Sequence, residues 1–299
     1  MKIAVLIKQV PETDNLRLDE KTGTVIRKGI ESIVNPLDLY AIETALRIKD
    51  NLNNTTITDS SEGKTKKTEE QDTTVTVITM GPPDAERALR EALSMGCDNG
   101  ILITGREFAG SDTFATSLVL SRVILQGVST ESLNLDNSHH KLPFDLILCG
   151  ERATDGDTGQ VGPAVASFLE LPVVTYVSRI GVNADTVEVD RIVEDGVETY
   201  RVTLPALITV SKAIGTPRLP TLSGKKRAKK AKIKTVNFTE ELFKQEEVGL
   251  KGSPTRVVKI FRPQIKRKPT IVTVKKEADI EIAVDRLINF IAEDIDTTE

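Results

Sequence analysis

Short apolar runs rich in β-branched residues recur along the chain, at Ile3 to Ile7, Val75 to Met80, Gly100 to Thr104, Leu146 to Cys149 and Val173 to Val177. Runs of four to six residues without a polar alternation predict strands covered on both faces. Helical spacing fills the gaps between them. Asn35 is a good N-cap, Pro36 suits the first helical position, Asp38 favours the positive end of the dipole, and Ile42, Ala45 and Leu46 keep one face apolar. A second helix begins at Pro82-Pro83-Asp84, carries Ala85, Ala88, Leu89 and Ala92 on one face and stops at Gly96. Strands alternating with helices predict an α/β fold with a parallel, doubly wound sheet.

Three stretches depart from the alternation. Residues 51–74 are polar and nearly without large apolar side chains, which predicts a mobile surface insertion. From Val187 to Leu204, apolar residues flank Asp195-Gly196 in a hairpin pattern. After Leu207 to Val210 the chain turns proline- and lysine-rich, and a helix around Ile280 to Ile295 ends it. Weak periodicity over 211–270 predicts an arm that packs on something else. The expected organisation is a nucleotide-binding domain over 1–210, interrupted by the insertion at 51–74, and a C-terminal part over 211–299.

Composition narrows the function. The 299 residues, 39% of them hydrophobic, can bury a substantial core, but there is no Trp and little aromatic surface for stacking bases. A net charge of -4, with both signs spread along the chain, gives no electrostatic reason to bind nucleic acid or an anionic membrane. Cys97 and Cys149 are far apart and read as buried thiols of a reducing compartment. With no apolar window of transmembrane length, the chain is placed in the cytoplasm. The only histidines, His139 and His140, sit in a polar stretch, so no nucleophilic triad emerges.

One stretch carries candidate chemistry. Glu151 to Pro163 follows the strand ending at Cys149 and leads into an apolar helical run from Val161 to Leu171. A strand, a glycine-rich polar turn and a helix start point free N–H groups and the positive end of a dipole at an anion, usually a phosphate. Gly156, Gly159 and Gly162 let the backbone approach such a group closely. Asp155 and Asp157 would repel a phosphate, and so suit ribose hydroxyls or the bracing of loop N–H groups. The same loop superficially resembles a calcium loop, but it lacks the terminal Glu, so no metal is assigned.

In this order the chain resembles the β subunits of electron transfer flavoproteins. The residues that carry the likeness are Ile3 to Pro11, Asn35-Pro36, Met80-Gly81-Pro82-Pro83, the loop Ala153 to Gly162, and Thr216-Pro217-Arg218-Leu219-Pro220-Thr221-Leu222. The resemblance implies a Rossmann-like, adenine-nucleotide-binding fold and an extended C-terminal arm wrapped around a larger α subunit. Some β subunits of this kind hold a structural AMP; others, of the bifurcating type, hold FAD. The loop Asp155 to Pro163, the run Phe108 to Ser117 and the run Gly249 to Val257 resemble the FAD-holding members.

The resemblance further implies site residues. Leu6, Asn35, Met80 and Ala153 match positions around the adenosine half, and Thr158, Gly159, Gln160 and Val161 match the phosphate contacts, with Asp155 and Asp157 beside them. Asp112, Thr113 and Thr116 then reach the rest of FAD, although Asp112-Thr113 reads equally as a plain helix N-cap. Leu222, with Arg218 before it, matches a docking segment for a partner dehydrogenase, and the basic run Lys225 to Lys234 follows. The implied function is hydride acceptance from NADH and distribution of electrons to the α-subunit FAD and to a low-potential acceptor, ferredoxin or flavodoxin. Two alternatives stand beside it: a non-bifurcating carrier with AMP in the β site serving acyl-CoA or related dehydrogenases, and an adenine-nucleotide-binding regulatory protein without redox role.

Overall fold

The computed structural model describes residues 1–12, 32–54, 73–126, 142–258 and 271–296. In chain order the first part contains β1 (Lys2–Leu6), β2 (Gln9–Pro11), β3 (Ser32–Val34), α1 (Pro36–Asn54), β4 (Thr74–Met80), α2 (Glu86–Met95), β5 (Asn99–Ile103) and α3 (Thr113–Gln126). There follow β6 (Leu146–Gly150), α4 (Val161–Phe168), β7 (Val173–Asn183), β8 (Thr186–Val193), β9 (Gly196–Thr203) and β10 (Ala206–Val210). Beyond these lie α5 (Leu222–Lys230), β11 (Lys234–Val236) and the single turn α6 (Gly249–Gly252). The main sheet runs β11-β5-β4-β1-β6-β10-β7-β8-β9, parallel as far as β7 and antiparallel over β8 and β9. This is the doubly wound sheet that the alternation predicts, with the expected hairpin at its end.

Why the sheet is two-faced follows from the strands themselves. Along β1, Ile3 and Val5 point into a cluster with Ile42 and Leu46 of α1 and Leu89 and Leu93 of α2. Ala4 and Leu6, one position out of phase, point into the opposite cluster with Val119 and Val123 of α3 and Val165 of α4. A continuous apolar run thus satisfies helices on both sides. The chain lays β4 and β5 on one side of β1, then crosses through α3 to lay β6 on the other. Connections diverge at the carboxyl ends of β1 and β6, the switch point at which a doubly wound sheet forms its ligand crevice.

Residues 211–258 do not form a detached arm. β11 pairs with β5, and Ala228 of α5 is buried in the α1/α2 cluster. Phe243 packs edge-on against Phe108 with ring centroids 5.1 Å apart. The first compact unit runs from Met1 to Val258. A three-residue strand and isolated phenylalanines leave no periodic trace, which is why the sequence pattern fades where the fold does not. The polar segment at 51–74 is also shorter at its ends than expected: α1 continues to Asn54 and β4 starts at Thr74, while 55–72 lie outside the described residues, as do His139 and His140. In the second unit, Lys259–Glu299, the described structure includes α7 (Ala278–Asp296), with Ile280, Val284, Leu287, Ile288 and Ile291 exposed in a helical stripe.

Candidate functional site

The crevice floor is built from the start of α1. Asn35 is fully buried, and its side chain does not cap the helix as the sequence pattern suggests. It reaches across to the loop after β6, donating from Nδ2 to the Arg152 carbonyl at 2.9 Å and accepting at Oδ1 from the Thr154 N–H at 3.1 Å. Asp38 spans the same gap. Its carboxylate accepts from the backbone N–H of Lys8 at 2.7 Å, just past β1, and of Gly150 at 3.3 Å, at the end of β6. Burial pushes this carboxyl up to about 7 against the pull of those donors, Asn35 and Lys8. Gly150 permits the close approach, since a Cβ there would sit 2.8 Å from the Leu37 backbone.

The loop above this floor is held by ion pairs. Asp155 takes Lys8 Nζ at 2.6 Å, and Asp157, at φ 53°, takes Arg152 Nε at 2.7 Å. Both acids are thus paired with basic side chains, a different arrangement from the bracing of loop N–H groups. Gly159, at φ 63°, then turns the chain into α4. That helix has no side-chain cap at Gln160, and among the described residues the backbone N–H groups of Thr158 to Val161 meet no backbone acceptor. Gly162 brings the helix down on the sheet, its absent Cβ leaving room for Thr209 Cγ2 and Cys149 Sγ, which would lie 2.8 and 2.9 Å away. The donor set, uncapped and at the positive end of a helix dipole, fits a phosphate group.

The start of α3 stands beside that of α4, with Thr113 Oγ1 and Gln160 Oε1 2.9 Å apart. Asp112 acts as the cap of α3, accepting from the Ala115 N–H at 3.0 Å through Oδ1. Its Oδ2 accepts from both the N–H and the hydroxyl of Thr255. Burial works against the Asp112 charge, but these donors outweigh it and hold the carboxyl below its usual range. Ser253 Oγ in turn accepts from the Asp112 N–H, and the Gly249 N–H donates to Ser111 Oγ. The runs 108–117, 151–163 and 249–257 thereby converge on one side of the crevice. Leu6 and Met80 close the carboxyl ends of β1 and β4, Ala153 lies in the loop, and Thr116 sits in the first turn of α3.

The segment Thr216 to Leu222 lies elsewhere, tied to Glu43, Arg47 and Asp50 of α1. Leu222 begins α5 with 82% of its surface exposed. Within the chain, Arg218 Nε donates to Glu43 Oε2 at 2.8 Å and its Nη2 to Asp50 at 2.9 Å. Burial opposes the Glu43 charge, yet donors from Arg218 and Arg47 hold that carboxyl below its usual range. Arg218 is thus the clasp that fastens the segment to α1.

Comparison with known proteins decides the family. The profile of the electron transfer flavoprotein domain matches residues 60–241. The chain is 40% identical over 288 residues to the electron transfer flavoprotein subunit beta of Thermoanaerobacterium thermosaccharolyticum, covering 96% of this chain and 98% of that one. This chain belongs to the electron transfer flavoprotein family. Its likeness is to β subunits, and an electron-transfer role comes with membership, which removes the reading without redox role. The electron transfer flavoprotein relatives include protein FixA of Azotobacter vinelandii, 39% identical over 284 residues (93% of this chain, 90% of that one). The caffeyl-CoA reductase-Etf complex subunit CarD of Acetobacterium woodii is 39% identical over 273 residues (91% and 92%). No described helix of this family member is long and apolar enough to cross a membrane.

Sequence reasoning gave no role to Lys8, Arg152 or Tyr176, which hold or flank the crevice, and met Asp38, Ser253 and Thr255 only as part of a helix start and of a family-like run. Lys8 and Arg152 stand next to residues that were singled out; a search for countercharges to Asp155 and Asp157 would have found them. Nothing local marks Tyr176, whose place depends on the pairing of β7.

Proposed function

We propose that this chain is the β subunit of a heterodimer with an α subunit, and that its crevice binds FAD with the pyrophosphate on the first turn of α4. The observation that carries the reading is the convergence of 108–117 and 249–257 beside the phosphate loop. A second polar wall of this kind suits a ligand longer than AMP. When bound, the flavin would accept a hydride from NADH and release electrons singly, to the α-subunit FAD and to ferredoxin or flavodoxin. The chain's own work is positional. Leu6, Asn35, Met80 and Ala153 enclose the adenosine; Asp155 and Asp157 hold the loop; Thr158, Gly159, Gln160 and Val161 offer donors; Thr113 and Thr116 face the remainder. Likeness to FixA and to a subunit of a caffeyl-CoA reductase-Etf complex adds support.

A specific observation favours a second reading, an AMP-holding carrier for an acyl-CoA or related dehydrogenase. Both Asp112 oxygens are engaged within the chain, so Asp112 offers nothing to the distal half of FAD. Releasing and counting the nucleotides of the purified heterodimer tests the two. Two FAD per pair, with anaerobic bleaching by NADH, supports the first; one FAD with one AMP replaces it by the second.

In either case Leu222 is proposed as the apolar anchor for a partner dehydrogenase, beside a cationic helix. Leu222→Ala should keep the full nucleotide content and slow electron exchange with the partner about tenfold or more in stopped-flow traces. Unchanged traces would remove Leu222 from the docking site.

A further inference from the structure

β7 leaves regular pairing where it passes the phosphate loop. Its register against β10 shifts between Ile208 and Val210, and within the irregularity Tyr176 takes φ 57°. A left-handed backbone at a bulky aromatic residue costs on the order of 1 kcal/mol or more, and persists only where surrounding structure imposes it. Here the Tyr176 N–H is tied to Thr209 Oγ1 at 3.2 Å, on the strand that α4 covers. The ring is carried over the Gly159 turn: a Cβ built on Gly159 would lie 3.8 Å from the Tyr176 hydroxyl oxygen. Among the described residues that hydroxyl has no hydrogen-bond partner, and Tyr176 is 41% exposed. An unpartnered phenol donor and the uncapped N–H groups of α4 therefore border the same turn.

Rim shielding of α4 would explain an aromatic ring at this place, but a Phe would serve as well, and it gives no reason for a strained backbone. We propose that Tyr176 is a phosphate ligand of the nucleotide site, its hydroxyl donating to a non-bridging oxygen of the adenine nucleotide's phosphate at the Gly159 turn. The inference rests on the nucleotide reading above, for AMP and FAD alike. Tyr176 then completes on the β7 side a cradle whose other donors are backbone.

Calorimetric titration of the nucleotide-stripped full chain with AMP, FAD and adenosine, for wild type and Tyr176→Phe, tests it. A hydrogen bond to a charged group is lost without loss of the ring, so AMP and FAD should bind Tyr176→Phe about tenfold more weakly while adenosine binds as before. Thermal melting without ligand should coincide for the two proteins. Equal AMP affinity overturns the inference, and so does an equal loss for AMP and adenosine, which would mark a purely structural role. Should the wild type bind none of the three, the nucleotide reading itself falls; a wild type that binds AMP beside an unaltered Tyr176→Phe overturns only the residue.

Discussion

Asp38 keeps its proton in the folded chain to about pH 7, because burial penalises the charged form more than its donors favour it. The unfolded chain gives up that proton near the ordinary aspartate value of 3.8. Between those values the native state binds more protons than the unfolded one, so stability falls as pH rises, and the loss is complete above about pH 7. Neutral Asp38 is close in shape to Asn. Relative to Asp38→Asn, the wild type should therefore lose up to roughly 4 kcal/mol between pH 4 and pH 8, read from urea midpoints. A constant difference across that range would mean that Asp38 is ionised throughout. The residue also marks what was legible. Asn35 and Asp38 stand out in the sequence as helix-start chemistry, but their side chains serve a loop more than a hundred residues away, and no local pattern encodes such a partner.

The strands and helices around the crevice were legible because burial on both sheet faces leaves continuous apolar runs. β11 was not: its three residues gain their place from pairing with β5. The glycines separate in the same way. Spacing made Gly156, Gly159 and Gly162 equivalent, whereas the structure gives them different duties. Gly162 presses α4 on β10, and Gly162→Ala should lower stability by about 1 to 3 kcal/mol and weaken nucleotide binding as the helix is pushed off the sheet. Gly156 meets nothing of the chain within 4 Å, so Gly156→Ala should melt within about 0.5 kcal/mol of wild type. Parallel denaturant titrations of the two variants check the contrast. An effect of Gly156→Ala confined to FAD, with AMP unaffected, would locate the distal half of the ligand over that position.

At the scale of the whole molecule, the chain divides after Val258. The first unit holds both sheet faces, the crevice and the Arg218 clasp, while α7 leaves its apolar stripe exposed. A chain ending at Val258 should therefore keep a cooperative thermal transition within a few degrees of the full chain's. It should also lose most of its association with the α subunit in analytical ultracentrifugation. Collapse of the transition would show that 259–299 belongs to the first unit's stability; retained association would move the interface off α7.

Among the described residues, the nine-stranded sheet has β11 and β9 as its terminal strands. One, β11, is three residues long. At the other, β9 places Glu198 and Arg201 against Arg191 and Glu188 of β8, so charge borders the free rungs of the ladder. A second copy adding itself strand by strand would have to strip water from those ions, and a flat apolar template is what runaway stacking requires. These charged pairs therefore work against growth into a fibre along the sheet, although Val197 and Tyr200 of the same strand are exposed.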